Sequence, residues 1–356
     1  MKASSTCGAF MSETPKSRGL VGKVARWGMV IVFVGAALNL GLAWQSIGAR
    51  ASSVIDNVEP FWLVVAAALG VAPWFFSAAR MWMWARFFEC PISARSALRA
   101  NVGTELTSSI SPKAIGGAPA KIALLIDAGV RPGFAASILL LDNISDVVFF
   151  AGVAPAIAFF SARWRVPEVS EILGRVQEKV VGAAPWILGL VVIVAIAIFV
   201  QQRRTAGAPH GKLRKALGQI RHDFVSAYAL VGKHGKMRAL AAVGLSTGLW
   251  ITRASVATAV MFGLGQTVDP VLFFLLQWVV FAMMVLVPTP GAALGAEASF
   301  AAVTDGFVAK GLLAVLTAGW RFFSFYLPLL FGLILMPLLR TRQESEPETD
   351  AASPSS

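Results

Sequence analysis

Residues 61–79 read FWLVVAAALGVAPWFFSAA and contain no charged side chain. A helix of this length rises 1.5 Å per residue, so it nearly matches the ~30 Å hydrocarbon core of a bilayer. The composition of the whole chain agrees, because 56% of its residues are hydrophobic, 14% are charged and its mean hydropathy is +0.70. A soluble domain carries about 25% charged residues. Residues 61–79 are therefore predicted to cross a membrane.

Six further apolar runs are also long enough to cross a bilayer. Three of them are uncharged, and the other three carry one or two ionisable residues. Together with residues 61–79 they predict an all-α, polytopic transmembrane helix bundle with about seven spans. The further runs are 27–49, 134–160, 180–202, 239–264, 270–287 and 311–339.

The basic residues predict how the bundle is oriented and divided. The leader, residues 1–26, holds five Lys or Arg and one acid, and residues 203–238 hold nine Lys or Arg and one acid. Lys and Arg collect on the cytoplasmic side of a membrane, so we expect both segments there, in a cell (inner) membrane. The loop 203–238 separates the halves 27–202 and 239–340 of a transmembrane domain spanning 27–340. The acidic, Ser/Pro-rich tail 341–356 is predicted to be disordered.

Two segments, 93–131 and 288–306, are too polar or too rich in Pro and Gly for a plain span. They contain SPKAIGGAPAK at 111–121 and PTPGAALGAE at 288–297. Non-helical chain at membrane depth must be buried in protein or line a wet cavity, and transporters place such breaks at matching positions of two repeat-like halves. Each segment is predicted to be either re-entrant or crossing. The alternative is an ordinary cytoplasmic loop with turn residues.

Ionisable residues inside the spans are the strongest sign of function. Each costs about 2.5–3.5 kcal/mol at the centre of a helix on insertion scales, so it usually faces a cavity or a partner. Asp142 and Asp146 are four residues apart and share one helical face. We expect them to pair across the bundle with Arg321 or Arg253. The alternative is that either arginine extends to the interface.

These motifs, in this order and spacing, resemble the transmembrane, flippase-like region of lysylphosphatidylglycerol synthase/flippase proteins over roughly residues 27–340. The resemblance implies a membrane protein that moves lipids. We expect no lipid aminoacylation, because no acyltransferase domain follows Leu339. The matching residues are Pro112, Lys113, Gly116, Gly117, Pro119, Lys121, Leu124, Gly129, Asp142 and Asp146, then Pro288, Pro290, Gly291, Gly295 and Glu297, then Arg321, Tyr326 and Pro328.

The candidate substrate site combines the breaks with the buried charges. Glycines permit close approach, half-helix N-termini favour anions, and Lys113 and Lys121 add full charges for a phosphate. Glu297 is predicted either to bind an amine or a proton, or to cap a half-helix. No cofactor, metal site or catalytic residue is predicted. The predicted substrate-binding residues are Lys113, Gly116, Gly117, Lys121, Asp142, Asp146, Arg253, Pro288, Gly291, Gly295, Glu297 and Arg321.

The function favoured by these features is translocation of a polar-headed lipid, anionic or lipid-linked, between leaflets. No G-x-x-x-x-G-K-[ST] loop occurs, so we expect no direct use of ATP. Two alternatives stay open. One is an intramembrane lipid-modifying enzyme, because Asp142-x-x-x-Asp146 resembles the closing acids of CDP-alcohol phosphotransferases. The other is a non-catalytic partner in envelope-lipid assembly. The expected partners are membrane lipids, a homo-oligomer or lipid-biosynthesis enzymes, and not nucleic acid.

Overall fold

The computed structural model describes residues 57–90, 92–110, 116–164, 211–286 and 293–339, together with Val30, Val34, Ala37 and Gly41. Every regular element in these residues is helical, which confirms the predicted all-α membrane bundle. The predicted spans 27–49, apart from those four positions, and 180–202 lie outside the described residues, as do the leader and the tail.

The described part of the first half begins with a long helix and ends with another. Pro60 occupies the first helical turn of α1, where its missing N–H is not needed. The basic loop contains a helix, α5, which docks on the start of α4 through Arg131 and Asp223. The helices are α1, Pro60–Phe87; α2, Ala94–Ile110; α3, Gly117–Asp127; α4, Pro132–Trp164; and α5, Gly211–His234.

The second half repeats this pattern and adds a π-helical turn. The carboxylate of Asp269 accepts hydrogen bonds from the N–H groups of Val271 and Leu272 and so caps the start of α7. The helices are α6, Lys236–Gly263; α7, Pro270–Leu286; α8, Ala293–Thr304; a short 3₁₀ turn, Asp305–Phe307; α9, Lys310–Arg321; a π-helical turn, Phe322–Tyr326; and α10, Leu327–Leu338.

The two halves match helix for helix. The first residues of two matched pairs of helices differ by one constant interval, from Pro60 to Lys236 and from Ala94 to Pro270, and the helices of the first pair have 28 residues each. The same interval relates Gly117, where α3 begins, to Ala293, the first described residue of α8. The chain is therefore an internal repeat of one long helix, two shorter helices and a closing span.

The repeats run in opposite directions. Along α1 and α6, Trp62 meets Phe262, Arg80 meets Ser246, and Phe87 meets Arg238, so these equivalent helices are antiparallel. A Cβ added at Gly248 would lie 2.6 Å from the Phe76 ring, so glycine at this position lets the helices approach closely. Antiparallel equivalent helices define the inverted repeat found in many transporters.

The first Pro/Gly-interrupted segment is built around a helical hairpin. Gly103 of α2 faces Leu124 of α3, Ser108 faces Gly117, and the Arg99 guanidinium lies 3.9 Å from Asp127. The chain therefore enters and leaves this hairpin at the same end of the bundle, which is the geometry of a re-entrant segment. Its counterpart pairs α7 with α8, which pack together in the second half.

Four helices of the described chain are long and apolar enough to cross a membrane. They correspond to the predicted spans 61–79, 134–160, 239–264 and 311–339. The predicted span 270–287 corresponds to α7, an apolar helix whose described residues, Pro270–Leu286, pack on α8. The four helices are Pro60–Phe87, Pro132–Val153, Lys236–Gly263 and Leu312–Leu338.

Candidate functional site

A cluster of four charged side chains lies where α1, α3 and α4 meet. The Arg80 Nε atom lies 2.8 Å from Asp142 Oδ1, and its Nη1 atom lies 2.6 Å from Asp146 Oδ1. Lys121 Nζ lies 2.5 Å from the second oxygen of Asp142. Arg80 Nη1 also donates a hydrogen bond to the Ser246 hydroxyl on α6. We call Arg80, Lys121, Asp142 and Asp146 the first-half cluster.

The first-half cluster is buried and electrically balanced. Arg80 and Asp142 are 3% and 1% exposed and Lys121 is 7% exposed, whereas the Asp146 side chain keeps 25% of its surface accessible. Two cations neutralise two carboxylates, so no charge of the cluster stays uncompensated. Removing one partner of a buried ion pair costs about 3–5 kcal/mol, because the other charge is left without compensation.

The centre of this cluster is Arg80, which follows an apolar run beside Trp82 and Trp84, a pattern typical of a lipid interface. Arg80 and Trp84 are instead buried in the bundle. The prediction that the two aspartates pair with Arg253 or Arg321 was wrong. Those arginines bind other carboxylates, as described below. One usable signal was Ser77, which lies buried one helical turn before Arg80 and bonds Asn101 on α2.

A second ion pair joins α8 to the closing span of the second half. Arg321 Nε lies 3.7 Å from Glu297 Oε1, and the guanidinium carbon lies 4.1 Å from the centre of the Phe325 ring. Arg321 is 3% exposed, and the side chain of Glu297 is 21% exposed. The π-helical turn begins directly after Arg321, and such turns are frequent at functional sites. We call Arg321 and Glu297 the second-half pair.

A third pair links α6 to α2. Arg253 Nη2 lies 3.4 Å from Glu105 Oε1, and its guanidinium carbon lies 5.5 Å from the Trp250 ring. The side chains of Arg253 and Glu105 keep 30% and 42% of their surface accessible. The sequence placed Glu105 at an interface, but its partner lies near the middle of α6. We call Arg253 and Glu105 the central pair.

The three groups lie at successive levels along α6. Ser246 contacts the first-half cluster, Arg253 belongs to the central pair, and Val260 packs against Gly319, two residues before Arg321. Positions seven residues apart return to nearly the same helical face and lie about 10 Å apart along the axis. The charged groups therefore form a series of three levels, with the central pair between the two others.

The repeat inverts the charge of its equivalent residues. The interval that relates the matched helices also relates Lys121 to Glu297. Lys121 in α3 and Glu297 in α8 therefore occupy equivalent positions. In the first half the short helix supplies the cation and the span supplies Asp142. In the second half the short helix supplies the carboxylate and the span supplies Arg321.

The remaining predicted residues divide into two groups. Gly117 is a packing residue, because an added Cβ would collide with the Ser108 side chain. Gly116 precedes the first turn of α3, and Gly295 lies in the first turn of α8. The predicted residues Lys113, Pro288 and Gly291 lie outside the described residues.

Residues 26–332 match the family described as the lysylphosphatidylglycerol synthase TM region, a stretch that contains all three charged groups and both hairpins. The chain belongs to this family. Lysylphosphatidylglycerol synthase TM-region proteins are integral membrane proteins, in agreement with the four apolar spans. A relative in Archaeoglobus fulgidus, a UPF0104 membrane protein, is 23% identical over 296 residues that cover 79% of this chain and 88% of the relative.

Proposed function

We propose that this protein translocates a polar-headed lipid between the leaflets of the cell membrane. The first-half cluster is the observation that supports the proposal. Buried ion pairs contribute little net stability, since desolvation offsets their attraction, and ionisable residues inside membrane spans usually mark a path for ions or substrates. A lipid head group needs such polar partners while its acyl tails remain in the bilayer.

The inverted repeat supplies a means of opening the path to either side. Each half carries a helical hairpin, α2–α3 or α7–α8, that an ion pair ties to the following span. Transporters with inverted repeats reach alternating access by moving one repeat element against the other around a fixed site. In this mechanism, release of the Lys121–Asp142 contact opens one side and release of the Glu297–Arg321 contact opens the other.

The orientation and energy source belong to the same proposal. The leader and the loop 203–238 face the cytoplasm, because their excess of Lys and Arg follows the positive-inside rule. Asp146 is the most exposed member of the first-half cluster, so it is the residue best placed to exchange a proton or cation during transport. The proposed partners are an anionic or lipid-linked head group, a second copy of the chain, or enzymes of lipid biosynthesis.

The test is a lipid-scrambling assay on the purified full chain in liposomes. Tail-labelled phospholipids in the outer leaflet are bleached by a membrane-impermeant reductant, and the protected fraction reports movement. We expect Asp146→Asn and Arg321→Ala to slow movement at least about tenfold, a change that corresponds to 1.4 kcal/mol. Asp127→Asn is the matched control, because Asp127 is 56% exposed and pairs with Arg99 outside the three groups.

Two results contradict the proposal. Wild-type protein that moves no tested lipid excludes translocation, and equal slowing by Asp127→Asn excludes a specific role for the charged groups. Orientation is tested separately with single cysteines introduced between residues 203 and 238 of a chain whose native cysteines are replaced. An impermeant maleimide added outside intact cells is expected to leave these cysteines unlabelled.

A further inference from the structure

The buried amide of Gln277 marks a place where a polar ligand can bind. Gln277 lies near the middle of α7 and is 0% exposed, and neither its nitrogen nor its oxygen makes a hydrogen bond with any described residue. Buried polar groups in proteins nearly always have a hydrogen-bond partner, so an exception calls for an explanation. A polar group that enters the bundle during transport would supply the partner.

Arg253 occupies the position on α6 that faces Gln277. The ring centres of Trp250 on α6 and Phe281 on α7 lie 5.4 Å apart. A short turn joins these two helices and they pack together, so they run antiparallel. Arg253 lies one helical turn after Trp250, and Gln277 lies one turn before Phe281. Arg253 and Gln277 therefore lie opposite each other at the next level of the same interface.

The internal repeat indicates the same pairing independently. The interval that relates α1 to α6 relates Ser77 to Arg253. The same interval relates α2 to α7 and Asn101 to Gln277. In the first half, Ser77 donates a hydrogen bond of 2.7 Å to the Asn101 carbonyl oxygen. In the second half, the Arg253 guanidinium instead turns to Glu105 on α2.

We propose that Arg253 and Gln277 together bind the phosphate of the carried head group, and that Glu105 holds Arg253 before the lipid arrives. This inference rests on the proposed function. The guanidinium binds phosphate through parallel N–H donors, and the Gln277 amide nitrogen adds another donor. The Gln277 oxygen accepts a hydrogen bond from Arg253, as the Asn101 oxygen does from Ser77. The buried indole N–H of Trp250, whose ring lies 5.5 Å from the guanidinium carbon, has no hydrogen bond among the described residues and adds a further donor.

The contact between Arg253 and Glu105 is suited to open when a phosphate arrives. It is long, at 3.4 Å, and the two side chains keep 30% and 42% of their surface accessible. A carboxylate with this exposure is partly solvated, so it loses less on release of its cation than a buried carboxylate would. Glu105 and the phosphate therefore compete for one guanidinium. Removing the Glu105 carboxylate should strengthen phosphate binding, a gain that a purely structural ion pair does not predict.

The experiment measures binding to the full chain in detergent, as a rise in the midpoint of thermal unfolding with probe concentration. The probes are dioctanoyl phosphatidylglycerol, dioctanoylglycerol, which lacks the phosphate, and inorganic phosphate. We expect phosphatidylglycerol to raise the midpoint of the wild type more than either other probe at equal concentration. Gln277→Leu should weaken phosphatidylglycerol binding at least about tenfold, which corresponds to 1.4 kcal/mol, and Glu105→Gln should strengthen it about threefold.

The matched control is Asn101→Leu. It removes the equivalent amide of the first half, whose oxygen already bonds Ser77, so it should bind phosphatidylglycerol as the wild type does. Gln277→Leu removes an amide without a hydrogen bond among the described residues, so it is expected to fold at least as stably as the wild type. A loss of affinity in Gln277→Leu alone therefore reports the site and not misfolding.

Several results would overturn this inference. These are no binding of phosphatidylglycerol to the wild type, unchanged affinity in Gln277→Leu, or binding by Glu105→Gln that is no tighter than that of the wild type. Equal stabilisation by dioctanoylglycerol would show that the acyl chains are bound, and equal stabilisation by inorganic phosphate would show that the site serves the free ion. Binding does not depend on lipid movement. Affinities in the expected order, in a protein that moves no lipid, would leave the phosphate site in place and exclude translocation.

Discussion

In each half of this protein an ion pair ties the short helix of the hairpin to the following span, but the charges of the two partners are reversed between the halves. In the first half, a cation on the short helix α3 meets carboxylates on α4, and Arg80 joins from α1. In the second half, a carboxylate on α8 meets Arg321 on the closing span, and an aromatic ring covers the guanidinium. The arrangement of hairpin and span is the same in both halves, whereas the signs of the paired charges are exchanged.

The two halves also differ in how many charged side chains meet at the site, and this difference predicts their stability. Asp142 contacts two cations and Arg80 contacts two carboxylates, so the first-half cluster is a network. The second-half pair joins Arg321 to one partly exposed carboxylate, and Tyr326 and the π face of Phe325 add contacts to the guanidinium. We therefore expect the first half to hold its hairpin more firmly than the second half holds its own.

Removing Arg80 or Arg321 should give the largest difference in stability between the two halves. Arg80→Met leaves two carboxylates with one lysine to neutralise them, and we expect a loss of about 3–5 kcal/mol of stability. Arg321→Met strands one carboxylate that is partly accessible, so we expect about 1–3 kcal/mol. The measurement is the midpoint of thermal unfolding in detergent, with the exposed Arg95→Met on α2 as the control. Equal losses for Arg80 and Arg321 would contradict the network interpretation.

Exchanging the two charges of an ion pair should give a smaller difference in stability between the halves. In the second half, the double variant Glu297→Lys with Arg321→Glu restores the ion pair with its charges exchanged, so we expect it to recover about 0.5–3 kcal/mol relative to the sum of its single variants. In the first half, Lys121→Glu with Asp142→Lys places a new lysine against Arg80, so no recovery is expected. Double-mutant cycles based on the unfolding midpoints measure the recovery of stability in each half. Equal recovery in the two halves would show that Arg80 does not couple to Asp142.

Much of the fold could be predicted because length and apolarity alone decide whether a helix crosses a membrane. Four predicted spans appear as crossing helices, and the Pro/Gly-interrupted stretch between 93 and 131 contains a hairpin. The apolar run 270–287 appears as α7, whose described residues pack on α8, a contact that composition alone does not indicate.

The candidate site was less predictable, because its pairs join residues distant in sequence. Asp142 and Asp146 were recognisable as buried charges, but their partner Arg80 lies at the end of an apolar run among aromatic residues, where arginine usually marks an interface. The paired Pro/Gly breaks predicted two repeat-like halves, but the reversed charges concealed which residues match. A search for similar residues rejects Lys121 against Glu297, although the constant interval between the matched helices aligns them.

The smallest expected change in stability follows from removing a buried side-chain amide in either half. Asn101 and Gln277 occupy equivalent positions of α2 and α7, at the eighth residue of each helix, and both are buried. The Asn101 carbonyl oxygen accepts a hydrogen bond of 2.7 Å from Ser77, whereas the Gln277 amide makes no hydrogen bond within the part of the chain that the structure describes. Asn101→Leu strands the Ser77 hydroxyl, so we expect it to lose about 1–2 kcal/mol, whereas Gln277→Leu should be neutral or stabilising.

The same two variants also test whether Gln277 serves the substrate rather than the fold. An amide kept buried at a cost of about 1–3 kcal/mol is explained if the head group bonds it during transport. Gln277→Leu would then leave the unfolding midpoint unchanged or higher while slowing lipid movement, and Gln277→Asn would restore part of the rate. A variant that loses stability and transport together would instead show that Gln277 has a structural partner in the folded chain.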